Sequence, residues 1–264
     1  MIADPYDVVL LDLDGTLYRG SEPIPGAPEA VRRLRAMRKT VAFVTNNSSR
    51  TPEAVAGHLE SVGIEAAPDE VTTSALVTAD LLVERGAKIA FVVGETGLRT
   101  ALTAAGIRVA PDDALDVDVV AVGLDRSIDY ARLRAASILV ERGATLVASN
   151  GDASFPAADG SAWPGAGAIL AAIQTTTGAP ADIVGKPHPP LLRGALARAG
   201  GGRPLVVGDR LDTDIAGAAR LGWDSALVLT GISTREDVTT ASSLPRYVVD
   251  SVVAIVNDDQ GSGA

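Results

Sequence analysis

The residues best suited to chemistry stand where apolar runs stop. Val8-Val9-Leu10-Leu11 ends at Asp12-Leu13-Asp14-Gly15-Thr16. Side chains two apart on a strand share a face, so the two carboxylates can converge on one point. Gly15 permits the sharp turn that leaves them exposed. Other apolar runs end in polar groups too: Thr45-Asn46-Asn47 after Val41-Ala42-Phe43-Val44, Lys186 after Ile183-Val184-Gly185, and Asp209, with Asp214 close behind, after Leu205-Val206-Val207-Gly208. Three or more carboxylates in one crevice repel each other unless a cation joins them. A ligand set of oxygens without Cys or His points to a hard ion, most simply Mg²⁺. Mg²⁺ held by one or two carboxylates keeps waters and takes up phosphate oxygens, and Lys186 would supply a point charge against the same phosphate. The Thr45 hydroxyl and nearby backbone N–H groups would hold the remaining phosphoryl oxygens. Taken alone, Asp-x-Asp-Gly reads equally well as a strand end followed by a turn.

These groups need a scaffold that gathers distant strand ends. The run at 8–11 reads as a strand covered on both faces, as in a parallel sheet. In open α/β sheets ligands bind outside the carboxyl ends of the strands. A helix is expected over 29–38, a strand over 41–44, and a helix opened by Thr51-Pro52-Glu53 as N-cap, first-turn proline and first-turn acid. A further helix follows Ser74. Strands at 89–93, 119–123 and 145–148 then alternate with helices at 97–105, 128–142 and 165–177, the last closed by Gly178. The first rhythm is expected to resume with a strand at 183–187, a helix at 190–199 and a strand at 204–209. Asp212-Thr213-Asp214 opens another helix, where acids suit the positive end of the dipole, and strands at 226–229 and 247–249 complete the sheet. The expected architecture is α/β. A doubly wound, Rossmann-like parallel-sheet core, residues 1–78 and 182–264, carries a smaller inserted α/β cap domain, residues 79–181. The polar tail 257–264 is expected to fray and resembles a linker into further chain.

Composition removes several classes of function. The formal net charge of −10 and the absence of any basic run argue against a nucleic-acid partner. The 264 residues contain no cysteine, which excludes disulfides, thiolate zinc sites and a cysteine nucleophile. Only His58 and His188 are present, which leaves little room for a Ser-His-Asp triad. The first residues do not read as a signal peptide and no apolar stretch is long enough for a membrane span. The expectation is a cytoplasmic protein that engages neither membrane nor nucleic acid.

With the four strand ends in this order, the chain closely resembles the haloacid dehalogenase-like phosphohydrolases. Asp12-Leu13-Asp14-Gly15-Thr16 matches the first family motif, Thr45-Asn46 the second, Gly185-Lys186-Pro187 the third, and Gly208-Asp209-Arg210-Leu211-Asp212-Thr213-Asp214 the fourth. The long insert between the second and third motifs resembles the α/β cap of the branch that includes NagD-like, p-nitrophenyl phosphate, phosphoglycolate, pyridoxal phosphate and glycerol phosphate phosphatases. Asn150-Gly151-Asp152, Phe155-Pro156 and Pro164-Gly165 also resemble that branch, in which proline more often stands at the position of Gly151.

The resemblance implies a Mg²⁺-dependent phosphomonoesterase. Asp12 would be the nucleophile and Asp14 the general acid and base. The metal would be held by Asp12, the Asp14 backbone carbonyl and Asp209, while Asp214 orients a metal-bound water or Lys186. Thr45, Asn46, Asn47 and Lys186 would bind the phosphoryl group, and Phe155 the leaving group. Asp152 divides evenly between reading a substrate hydroxyl and shaping a turn. Trp163 is expected to pack, His188 to lie in a surface loop, and His58 to face solvent. The partner is a small phosphorylated metabolite, and the cap offers a surface for a homo-oligomer. With 3% aromatic residues overall, the cap has little material to stack a nucleobase or pyridoxal ring. That favours a polyol phosphate such as glycerol 3-phosphate over 5'-nucleotides, phosphoglycolate or pyridoxal phosphate. The rival readings are a phosphotransferase or mutase and a non-catalytic phosphate-ligand binding protein on the same fold.

Overall fold

A computed structural model describes residues 1–156 and 161–257. The expectation for the polar tail therefore lies, from residue 258 onward, outside the described residues. Contacts gather the described chain into two compact units, one of residues 1–45, 52–72 and 186 onward, the other of residues 46–51 and 73–185.

The first unit is built on a six-stranded sheet in which the five strands from Tyr247–Val249 to Thr40–Thr45 run parallel. Its spatial order is Tyr247–Val249, Asp224–Val228, Pro204–Gly208, Val8–Leu11, Thr40–Thr45 and Val71–Thr73. The central strand Val8–Leu11 is fully buried because its unbroken aliphatic run meets helices on both faces. Leu11 lies level with Val207 on one neighbour and Phe43 on the other. The chain runs outward from Val8–Leu11 in one direction through Thr40–Thr45. It later runs outward in the other from Pro204–Gly208, so the switch in strand order falls between Val8–Leu11 and Pro204–Gly208. Asp12 and Asp209 follow directly on those two strands, at the crevice where such sheets bind ligands.

The second unit has its own five-stranded parallel sheet, ordered Asp182–Ile183, Thr145–Ala148, Val119–Val122, Ile89–Val93 and Arg108–Val109. A separate two-stranded ribbon pairs Ser154–Pro156 with Ala162–Pro164. Phe91, Val93, Val120, Val122, Leu139, Leu146 and Ile173 form part of a core distinct from that of the first unit. The helix Ala166–Thr177 ends at Gly178, as its sequence indicates.

Several expectations needed correction. The strand over 183–187 does not rejoin the first sheet. Asp182–Ile183 pairs with Thr145–Ala148, and the Val184 N–H donates to the Ala148 carbonyl at 3.0 Å, so the second sheet holds the chain until just before Lys186. The residues after Asp209 begin not with a regular α-helix but with a π turn, Leu211–Ile215, that continues into the helix Ala216–Leu221. The short hairpin Tyr18–Arg19 with Glu22–Pro23 and the edge strand Val71–Thr73 were not anticipated. Two- and three-residue strands carry too few residues for an alternation to register. Among the described residues no helix is long and apolar enough to cross a membrane.

Candidate active site

At the switch point of the first sheet, Lys186 is surrounded by carboxylates. Its Nζ donates to Asp12 Oδ1 at 2.5 Å and to Asp214 Oδ1 at 2.6 Å. Lys186 is 4% exposed, Asp214 1% and Asp12 13%. The π turn places Asp214 here: the Asp214 and Ile215 N–H groups both donate to the Arg210 carbonyl, and the wide turn swings the carboxylate back under the strand end. The other Asp214 oxygen accepts from the Arg210 N–H at 3.2 Å.

Asp209 completes the cluster. One carboxylate oxygen from each of Asp12, Asp209 and Asp214 lies within 4.8 Å of the other two. A single ammonium does not neutralise three buried carboxylates. Burial pushes the Asp12 carboxyl well above the usual carboxylate range, and the Asp214 and Asp209 charges add to this against the pull of Lys186. Burial and the Asp214 charge likewise raise Asp209 to about 6. Burial alone would lower the Lys186 ammonium, yet Asp12 and Asp214 together hold it above its ordinary value. An oxygen-only donor set with surplus negative charge fits a hard divalent cation.

A loop not anticipated from the sequence holds Asp209 in place. The Ile232 N–H donates to Asp209 Oδ2 at 2.8 Å and the Ser233 N–H to the Asp209 carbonyl at 3.0 Å. Ser233 Oγ accepts from the Leu211 N–H, and the Thr230 hydroxyl donates to the Gly15 carbonyl at 2.6 Å. Thr230-Gly231-Ile232-Ser233 follows the strand Asp224–Val228, so one more polar strand end on the same sheet was the available signal.

Asp14 is exposed, on the turn that Gly15 makes with a φ of 76°. The Gly15 N–H donates to the Tyr18 carbonyl at 2.8 Å, so the hairpin Tyr18–Pro23 folds back beside it. His58 does not simply face solvent. Its Nε2 lies 2.9 Å from the Gly20 carbonyl and its ring meets Tyr18 edge-on at 4.6 Å, fixing that hairpin. Thr45 is buried at the end of its strand. His188 stands at the start of the helix Pro189–Arg198.

The remaining sequence candidates lie in the second unit. Asn46 Nδ2 donates to Asp152 Oδ2 at 3.1 Å. Asn47 Oδ1 accepts from both the N–H and the hydroxyl of Ser49, a local turn. Phe155 is half-buried on the two-stranded ribbon and meets Trp163 edge-on at 6.0 Å. Trp163 is not packed away but 48% exposed.

Residues 9–108 match the family of haloacid dehalogenase-like hydrolases and residues 183–255 a second, HAD-hydrolase-like family. A Staphylococcus aureus protein named acid sugar phosphatase is 41% identical over 246 residues, which cover 92% of this chain and 93% of that one. The chain belongs to the haloacid dehalogenase-like hydrolases. Within this family its structural neighbours include a glycerol phosphate phosphatase of Mycobacterium tuberculosis solved with calcium. That structure is 38% identical with a TM-score of 0.89, covering 96% of this chain and 76% of that one, and the same enzyme has also been solved with magnesium. A 4-nitrophenylphosphatase of Thermotoga maritima is 32% identical with a TM-score of 0.91, covering 98% and 100%. This haloacid dehalogenase-like chain is a phosphatase of the NagD-like branch.

Proposed function

We propose that this phosphatase is a Mg²⁺-dependent phosphomonoester hydrolase that works through an aspartyl-phosphate intermediate on a small phosphorylated polyol, glycerol 3-phosphate first among the candidates. The observation that carries the reading is Asp12 at the switch point, hydrogen-bonded to Lys186 and within ligand distance of Asp209. Asp12, Asp209 and the Asp14 backbone carbonyl would hold the cation. When bound, it supplies charge that keeps Asp12 ionised and offsets the repulsion between that carboxylate and the phosphate.

An Asp12 carboxylate oxygen attacks phosphorus while the bond to the ester oxygen breaks. Asp14, as a carboxylic acid, gives its proton to the departing alkoxide. The Asp14 carboxylate then takes a proton from water, whose oxygen attacks the phosphorus of the aspartyl phosphate, releasing inorganic phosphate and restoring Asp12. Lys186, held by Asp214, and the Thr45 hydroxyl bind phosphoryl oxygens together with groups of the Asn46-Asn47 segment. Phe155 and its ribbon would contact the leaving group.

The polyol reading is supported by the scarcity of aromatic residues and by the Mycobacterium tuberculosis neighbour, a glycerol phosphate phosphatase. The Staphylococcus aureus relative supports a phosphorylated sugar as the second reading. A panel of polyol, sugar, nucleotide and aryl phosphates, compared by kcat/KM with Mg²⁺ and with chelator, tests both. Highest kcat/KM for glycerol 3-phosphate, lost on chelation, is expected. A preference for nucleotides, or full turnover in chelator, would overturn the assignment.

A further inference from the structure

We infer that Asp152, with Ser74 and Asn150, is a positioning residue for the second motif, and that the Asn46 side chain is the peg it holds rather than a ligand of the substrate. The inference rests on the proposed reading of that motif as phosphate-binding. It concerns only groups within the second unit.

Asn46 is gripped at two places. Its side-chain amide donates to Asp152 Oδ2 at 3.1 Å. Its main-chain carbonyl accepts from Ser74 Oγ at 2.6 Å and from Asn150 Nδ2 at 2.8 Å. Two donors on one carbonyl occupy both of its lone pairs and so fix the plane of the peptide that follows. That peptide is trans, as is every bond in the described residues except Lys186-Pro187. In a trans peptide the N–H points opposite to the C=O. The Asn47 N–H is therefore aimed away from Ser74 and Asn150, as a donor whose direction the inserted unit sets.

The grip is itself rigid. The Asp152 N–H donates to Asn150 Oδ1 at 3.1 Å and the Asp152 carbonyl accepts from the Gly167 N–H at 2.8 Å, so the carboxylate cannot drift with its loop. A Cβ on Gly185 would lie 2.7 Å from Asn46 Oδ1 and 2.8 Å from Asn150 Cβ, so the residue before Lys186 is one that lets both asparagines approach. Ser149 Oγ donates to Ser48 Oγ at 2.8 Å in a fully buried pair, which seats the next residues of the segment. On this inference the Asp152 carboxylate serves to hold Asn46, beside the turn that the Asp152 N–H makes with Asn150 Oδ1.

The test measures inorganic phosphate as a competitive inhibitor alongside KM and kcat. Asp152→Ala and Ser74→Ala are each expected to raise the phosphate Ki and KM roughly tenfold, the worth of one well-placed hydrogen bond, with a much smaller change in kcat. Asp152→Asn keeps an oxygen that accepts from Asn46 and is expected to restore Ki to within about threefold of the parent. A purely structural role would lower Tm and the active fraction, hence apparent kcat, and leave KM and Ki alone. Should Asp152→Ala fail to fold, Ser74→Ala decides by the same readout. An unchanged Ki in the Asp152 or Ser74 variant, beside a raised Ki in Thr45→Ala, overturns the inference and leaves the phosphate site standing. An unchanged Ki in Thr45→Ala overturns the phosphate reading of the motif and the inference with it.

Discussion

A Cβ built on Gly231 would lie 1.9 Å from Oδ2 of Asp209, so the loop that fixes this carboxylate can only be closed by a residue without a side chain. The contact sits beside the Ile232 N–H that donates to the same oxygen. Gly231→Ala must therefore push Asp209 or the loop aside. Misplacement of a site group by about 1 Å can cost on the order of a hundredfold in rate. Gly231→Ala is expected to lower kcat/KM by that order and to raise the Mg²⁺ concentration for half-maximal activity. Steady-state kinetics across a Mg²⁺ titration reads both, and an unchanged Mg²⁺ requirement would show that the loop does not set the position of Asp209.

Lys186 pairs with Asp12 and Asp214 in a cluster that Asp209 completes, and at 4% exposed it has little solvent to replace it. Removing one partner of a buried ion pair leaves the other uncompensated, at a cost of about 3–5 kcal/mol. Lys186→Met is expected to destabilise the ion-free protein by that order in urea unfolding. Adding Asp214→Asn, which removes one of the stranded charges, should recover part of the loss. Equal stability of the single and double variants would mean that Asp214 and Lys186 are not coupled.

The sheet, its switch point and the three motif strand ends at Asp12, Thr45 and Asp209 were legible because long aliphatic runs stop there, and burial on both faces imposes such runs. Asp182–Ile183 was assigned to the wrong sheet because a two-residue strand carries no pattern that distinguishes its neighbours. The clamp at Thr230–Ser233 was missed for a different reason. Its grip on Asp209 is made by the Ile232 and Ser233 N–H groups and needs the missing side chain at Gly231, so the polar strand end Thr230–Ser233 was a signal that side-chain chemistry alone does not rank beside the carboxylates. Asn46 was legible as a motif residue, whereas its attachment to Asp152, 106 residues away, depends on tertiary geometry alone.

The raised carboxyl of Asp209 gives the stability of the protein a pH dependence that a cation reverses. Burial and Asp214 lift it from 3.8 to about 6. A carboxyl whose folded value exceeds its unfolded value contributes stability that is fully present below the unfolded value and lost as pH rises through the folded one. A divalent cation favours the ionised form, so its own stabilising effect grows over the same interval. The gain in Tm on adding Mg²⁺ to chelated protein is expected to be larger at about pH 7.5 than at about pH 5, by roughly 3 °C or more. A gain independent of pH would place the cation elsewhere.

Asp14 is exposed on its turn whereas Asp12 is held against Lys186, and this difference in surroundings suits the two carboxylates to different tasks. The group that protonates a leaving alkoxide matters in proportion to how badly that alkoxide leaves. Asp14→Asn is therefore expected to slow phosphoenzyme formation from glycerol 3-phosphate by roughly 10²–10⁴-fold, and from 4-nitrophenyl phosphate, whose phenolate needs no proton, far less. Breakdown of the intermediate should slow equally for both, because the same water must be deprotonated whichever group has left. Rapid-quench measurement of the two steps separates them. Equal losses in the first step for alkyl and aryl esters would remove Asp14 from the acid role and leave it, at most, as the base for water.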